Sequence, residues 1–106
     1  MKRILLSFFL AFFCALSAQD IAVIQINAYW NDANTRRDLP RLKECQYTLV
    51  YLEDQPKDIR EQILSVPTLL IYEDKRLVKA YQAGIDLSLK PTLEEIQQYI
   101  YLLKNS

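Results

Sequence analysis

The run Thr68-Leu69-Leu70-Ile71-Tyr72 constrains the fold more than any other stretch of the chain. It lies between Pro67 and the charged quartet Glu73-Asp74-Lys75-Arg76, too short for a helix and without the alternation of a strand that has one wet face. Such continuity predicts a strand covered on both sides, so the rest of the chain must supply a layer above it and a layer below. Ile21 to Ile26 (IAVIQI) reads the same way, and Tyr47 to Leu52 (YTLVYL) is a further strand. Leu77 to Gln82 alternates as a half-exposed strand, so residues 68 to 82 form a hairpin across the polar turn. Gly84, the only glycine, marks the next reversal.

The covering layers are predicted to be helical. Residues 27–33 (NAYWNDA) read as a loop, and Asn34 to Glu44 as a weakly amphipathic helix, with Leu39 and Leu42 three apart and Pro40 kinking it. Pro56 opens a second helix through Ile59, Ile63 and Leu64, whose spacings share a face. Thr92 with Glu95 three residues later is a capping box, and Leu93, Ile96, Ile100 and Leu103 form one stripe of a final helix. The order strand, helix, strand, helix, strand, strand, helix describes an α/β fold: a mixed sheet with helices on both faces.

The amino terminus has a different character. Met1-Lys2-Arg3, the apolar core Ile4 to Ala15 and the small-residue end Ala15-Leu16-Ser17-Ala18 read as a secretory signal peptide over residues 1–18, followed by one domain over residues 19–106. A span needs about 20 apolar residues, and this run meets Gln19-Asp20 first, so the expectation is an exported protein, periplasmic or secreted, with no stable membrane span after cleavage. Phe13 beside Cys14 argues against lipidation. Cleavage would remove Cys14 and leave Cys45 as a single thiol in a compartment that permits disulfides.

Composition removes several function classes. Without histidine there is no Ser-His-Asp or Cys-His pair and no imidazole zinc site. One glycine excludes glycine-rich phosphate loops. Thirteen basic residues against thirteen acidic ones give no electrostatic footprint for nucleic acid. The pairs Glu53-Asp54, Glu73-Asp74 and Glu94-Glu95 fall at a strand end, a turn and a helix start, so no carboxylate cluster suggests a metal, and no cofactor is predicted.

Val66-Pro67-Thr68-Leu69-Leu70-Ile71-Tyr72, the hairpin after it and Gly84 resemble the carboxyl half of thioredoxin. Ile24 to Ile26 followed by Asn27-Ala28-Tyr29-Trp30 resembles the family's first long strand, which ends in Ala-X-Trp just before the active-site cysteines. The resemblance runs from Ile21 to Leu103 and implies a thioredoxin-like fold with Pro67 cis. It also implies a peptide groove built from Tyr29, Trp30, Asn31, Asn34, Val66 and Pro67, in which the backbone of Val66 pairs with an extended segment. At the family's two cysteine positions this sequence has Asn31 and Asn34, in Asn31-Asp32-Ala33-Asn34, and an amide can neither attack a disulfide nor resolve one. Where the family usually carries a buried proton-relaying acid the residue is Gln25, a coherent loss, since a buried carboxylate serving no thiol costs stability.

Each candidate has a plainer role beside the functional one. Asn31 would cap the first helix and Asn34 would occupy its first turn, or both would line a groove that binds without reacting. Cys45 would be a small buried residue at a helix–strand joint, or a monothiol acting alone as a thiol-disulfide oxidoreductase. Six tyrosines fall within strand or helix patterns, and only Tyr29 and Trp30 sit where a ligand would touch them. The expectation is a redox-inactive binding or accessory module for a protein or extended peptide. The alternatives are monothiol redox activity through Cys45 and a structural subunit of an envelope assembly.

Overall fold

The computed structural model describes residues 21–105, so the signal-peptide reading of residues 1–18 lies outside the described residues. Strand β1 (Ile21–Asn27) is buried along its whole length, because it is central and covered on both faces. On one side it pairs in parallel with β2 (Gln46–Tyr51), from Ala22 opposite Gln46 to Asn27 opposite Tyr51. On the other it runs antiparallel to β3 (Thr68–Glu73), which pairs antiparallel with β4 (Arg76–Gln82), giving the order β2-β1-β3-β4. Glu73 faces Arg76 across the hairpin, and Asp74 and Lys75 between them have φ of 54° and 66°. Two left-handed residues in a two-residue loop match the twist of the strands they join.

Alternation along the central strands sorts the core into two layers. Ala22, Ile24, Ile26, Leu70 and Tyr72 face helix α1 (Lys57–Gln62) through Ile59 and the half-buried Ile63. Ile21, Val23, Leu69 and Ile71 face helix α2 (Leu93–Lys104) through Ile96 and Ile100, together with Leu39, Leu42 and Leu89. The α2 capping box is formed: Thr92 Oγ1 accepts from the Glu95 amide at 3.1 Å, and Glu95 Oε1 accepts from the Thr92 amide at 2.9 Å.

Two helical expectations are corrected. Residues 34–44 form no α-helix; the crossover from β1 to β2 is two 3-10 segments, Tyr29–Asn34 and Leu39–Arg41, the first occupying most of the stretch read as a loop. Leu39 and Leu42 are buried all the same, since a spacing of three stacks side chains in a 3-10 turn, and Leu42 leaves that turn extended. Gln25 holds the chain in this path. Its Oε1 accepts from the Arg36 amide at 2.9 Å, and its Nε2 donates to the Arg36 carbonyl at 3.2 Å and to the Tyr47 hydroxyl at 2.7 Å. The Arg36 side chain then binds Asp38 and donates to the Pro91 carbonyl at 2.7 Å, tying the crossover to the approach to α2. The second correction concerns α1, which ends at Gln62, so Leu64 is not on its buried face and stands 83% exposed.

Candidate functional site

The site forms where β1 and β2 end and the chain enters β3. Asn31 is 5% exposed and caps no helix, in place of the cap read from its sequence position. Its Nδ2 lies 3.1 Å from Asn27 Oδ1, 3.2 Å from the Leu87 carbonyl and 3.4 Å from the Val66 carbonyl, while its Oδ1 accepts from Asn34 Nδ2 at 2.8 Å. Asn27, fully buried, donates in turn to the Asn31 carbonyl at 3.1 Å and to Thr35 Oγ1 at 2.6 Å. One amide thus joins three separate segments: the end of β1, the entry to β3 and the turn after β4. Leu87 holds φ 62°, a left-handed conformation that an unbranched Gly would adopt more easily, and its carbonyl is one of the acceptors Asn31 reaches.

Around this tie lies an apolar cavity of about 470 Å³, lined by Trp30, Leu52, the segment 63–66, the segment 83–85 and Leu87. Trp30 is 68% exposed on its rim, joined there by the exposed Leu64 and Ile85. Of the six groove residues read from the sequence, Trp30 and Val66 line the cavity. Asn31 ties its walls, Asn34 holds Asn31, and Pro67 follows Val66 through a cis peptide and accepts from the Ala83 amide at 3.1 Å. Tyr29 stands beside the cavity, stacked on Tyr51 with ring centroids 4.4 Å apart. Glu53 accepts from the Tyr29 amide at 3.0 Å through both oxygens, and Asp54 accepts from the Tyr29 hydroxyl at 2.6 Å. That bond to Asp54 is the chief reason the Tyr29 hydroxyl is pushed up to about 12.

Sequence reasoning missed Leu64, Ile85 and Leu87 as lining residues, and Tyr51, Glu53 and Asp54 as supports of Tyr29. Ile85 and Leu87 beside Gly84 carry the one signal that was available, apolar residues in a turn with no strand or helix to use them. Asp32 completes the surroundings: Tyr51 donates to it at 2.6 Å and Arg37 at 2.8 Å, and these donors, Tyr51 first, hold its carboxyl below the usual range.

Cys45 belongs to the opposite end of the sheet. It precedes Gln46, the partner of Ala22 at the start of β1, whereas Trp30 follows the end of β1, which at ~3.3 Å per residue puts the two roughly 20 Å apart. The thiol is half-buried against the α2 core, and burial pushes it up to about 11. Among the described residues no group of His, Cys, Asp and Glu is arranged to hold a metal ion, and no helix is long and apolar enough to cross a membrane.

The four-stranded mixed sheet, the helices on both faces and the segment entering β3 through Pro67 define a thioredoxin-like fold. Among solved structures the chain is similar to the oxidised thioredoxin from Plasmodium falciparum, determined in solution, with a TM-score of 0.53, 14% sequence identity, and 87% of this chain matched to 88% of that one. No family model and no curated protein matches the sequence.

Proposed function

We propose that this chain is an exported, non-catalytic binding module that holds an extended polypeptide segment in the groove beside Val66 and Pro67. The observation that carries the reading is the apolar cavity itself, rimmed by Trp30, Leu64 and Ile85, three large apolar side chains left facing water. Exposed apolar residues gathered at a concave surface favour a partner, whereas the same residues scattered singly would need none. Among the described residues no group accepts from the Val66 amide, which suits backbone pairing with an extended segment. The Cys45 alternative draws no support from its surroundings: a thiol pushed up to about 11 is almost entirely protonated at neutral pH, and the thiolate is the nucleophile.

Trp30 is the sole tryptophan, so its fluorescence reports on this one place. Peptides selected from a random heptapeptide library against the protein should shift Trp30 emission to the blue on titration, and Leu64→Asp or Ile85→Asp should abolish both the shift and the binding. Peptides that bind equally well to both variants would remove the groove from the function.

A second reading, a structural subunit joined through the sheet edge, is favoured by β2. Its residues Gln46–Tyr51 carry no charge and no proline, while the opposite edge strand β4 is guarded by Arg76 and Lys79. An assembly dissolved by Leu49→Lys and untouched by Leu64→Asp would select that reading over the groove.

A further inference from the structure

The groove lining carries no charged side chain, but its surroundings are one-sided. The charged residues adjacent in sequence to a lining residue are Glu53, after Leu52, and Asp86, between Ile85 and Leu87; both are acidic. Asp86 is neutralised by its ion pair with Lys90. Among the described residues Glu53 and its neighbour Asp54 form no ion pair, although both are exposed. The cations on adjoining segments are engaged elsewhere: Arg37 pairs with Asp32, Lys57 with Glu61, and Arg60 donates to the Gln55 carbonyl.

These two carboxylates are also held in place. Glu53 is fixed by the Tyr29 amide and Asp54 by the Tyr29 hydroxyl, and Tyr29 is itself fixed by its stack on Tyr51, with the ring planes 17° apart. Tyr29 precedes Trp30 and Glu53 follows Leu52, so the uncompensated charge stands at the Trp30–Leu52 end of the cavity. A preorganised pair of like charges at one end of an apolar groove favours an occupant that brings the opposite charge to that end, and it repels an acidic one.

We propose, resting on the groove reading above, that the occupant is an extended polypeptide segment whose apolar residues fill the cavity and whose lysine or arginine, just beyond them, pairs with Glu53 and Asp54. The two acids select among apolar segments; the apolar walls supply the capture.

The test uses peptides selected from the random heptapeptide library against the whole protein. Lysine or arginine should be enriched beside the apolar run. Exchange of that basic residue for Glu should weaken binding about tenfold at low salt, and the difference should shrink to about twofold near 1 M salt, where the screening length is about 3 Å. E53Q/D54N keeps one acceptor oxygen for the Tyr29 amide and one for its hydroxyl while removing the charge, and it should bind the basic and acidic forms within about twofold of each other. Selected peptides without basic enrichment, a Lys-to-Glu difference that salt leaves unchanged, or the same difference persisting in E53Q/D54N would each overturn the proposal and leave the groove reading standing. Absence of any peptide whose binding depends on Leu64 would bring down both.

Discussion

Replacing Gln25 with Glu places a carboxyl group of nearly the same shape where both atoms of an amide are used. Gln25 is fully buried; its Oε1 accepts from the Arg36 amide, and its Nε2 donates to the Arg36 carbonyl and the Tyr47 hydroxyl. A protonated carboxyl reproduces this pattern, with its O–H donating to the Arg36 carbonyl or to Tyr47. An ionised one sets a negative oxygen against that carbonyl. Full burial raises a carboxyl by ~3–5 pH units, and the two donors that remain, the Arg36 amide and the Tyr47 hydroxyl turned round, take back about one unit each. A net rise of ~2 units above the unfolded value of about 4.3 corresponds to about 3 kcal/mol. The sign follows from linkage: a raised folded pKa leaves the variant near wild-type stability below about pH 4, and the deficit grows as pH rises towards the folded value of roughly 6, then levels off. Urea unfolding of wild type and Gln25→Glu at intervals from pH 4 to pH 8 measures the difference directly, because carboxylates common to both proteins cancel. A difference that is flat with pH, or larger at pH 4 than at pH 8, would refute the argument that Gln25 acts as a buried donor–acceptor clamp on Arg36.

Asn31→Ala strips the donor from the Val66 and Leu87 carbonyls and from Asn27, and should cost about 2–3 kcal/mol in urea unfolding, against under ~1 kcal/mol for Asn34→Ala at its exposed position; the reverse order would remove Asn31 as the tie. Alkylation of Cys45 in the folded protein should accelerate with a midpoint about 11, against about 8.5 for the unfolded chain, and a folded midpoint at or below the unfolded one would revive the monothiol reading. Thr92→Ala removes the acceptor for the Glu95 amide and should lower stability by about 1 kcal/mol, with Thr92→Ser restoring most of it. Asp38, held low first by its hydrogen bond from Arg36, contributes stability that is present in full above about pH 4 and is lost as pH falls through its lowered value, so Asp38→Asn should flatten the acid limb of the stability curve.

The strands and α2 were legible because each has a period that only one structure satisfies: continuous apolar runs at 21–26 and 68–72, and the 3-4-3 stripe behind a capping box at 92–103. The crossover was not, and the reason lies in its two leucines. A spacing of three fits an α-helix and a 3-10 turn equally, and with Pro40 inside the segment and no third apolar residue to continue the stripe, the shorter structure buries both side chains. The deciding contact, Gln25 on the backbone of Arg36, is non-local and leaves no mark on the local pattern. The place of the apolar cavity was legible through Trp30 and Val66, but its extent was not. Leu64 and Ile85 show their role only when the fold brings the end of α1 and the turn after β4 to the two sides of one cavity.

Gln25 and Asn31 work in the same way. A carboxamide carries a donor and an acceptor on one carbon, so one side chain can bracket the backbone of a whole residue, as Gln25 does with both the amide and the carbonyl of Arg36. Asn31 uses the same property to donate towards carbonyls on two distant segments while accepting from Asn34. A thiol at position 31 offers one weak donor where three acceptors converge, and a carboxylate at position 25 offers none where two are needed. Gln25 and Asn31 are therefore struts, each bonding backbone atoms of a distant segment. The short crossover belongs to the same arrangement: once Arg36 is clamped beneath β1, the chain turns at Leu39–Arg41 rather than winding on as a helix. Asn31 ties Val66 and Leu87, which both line the apolar cavity, and on the proposed reading a groove already tied in this way would lose less entropy when a segment enters it.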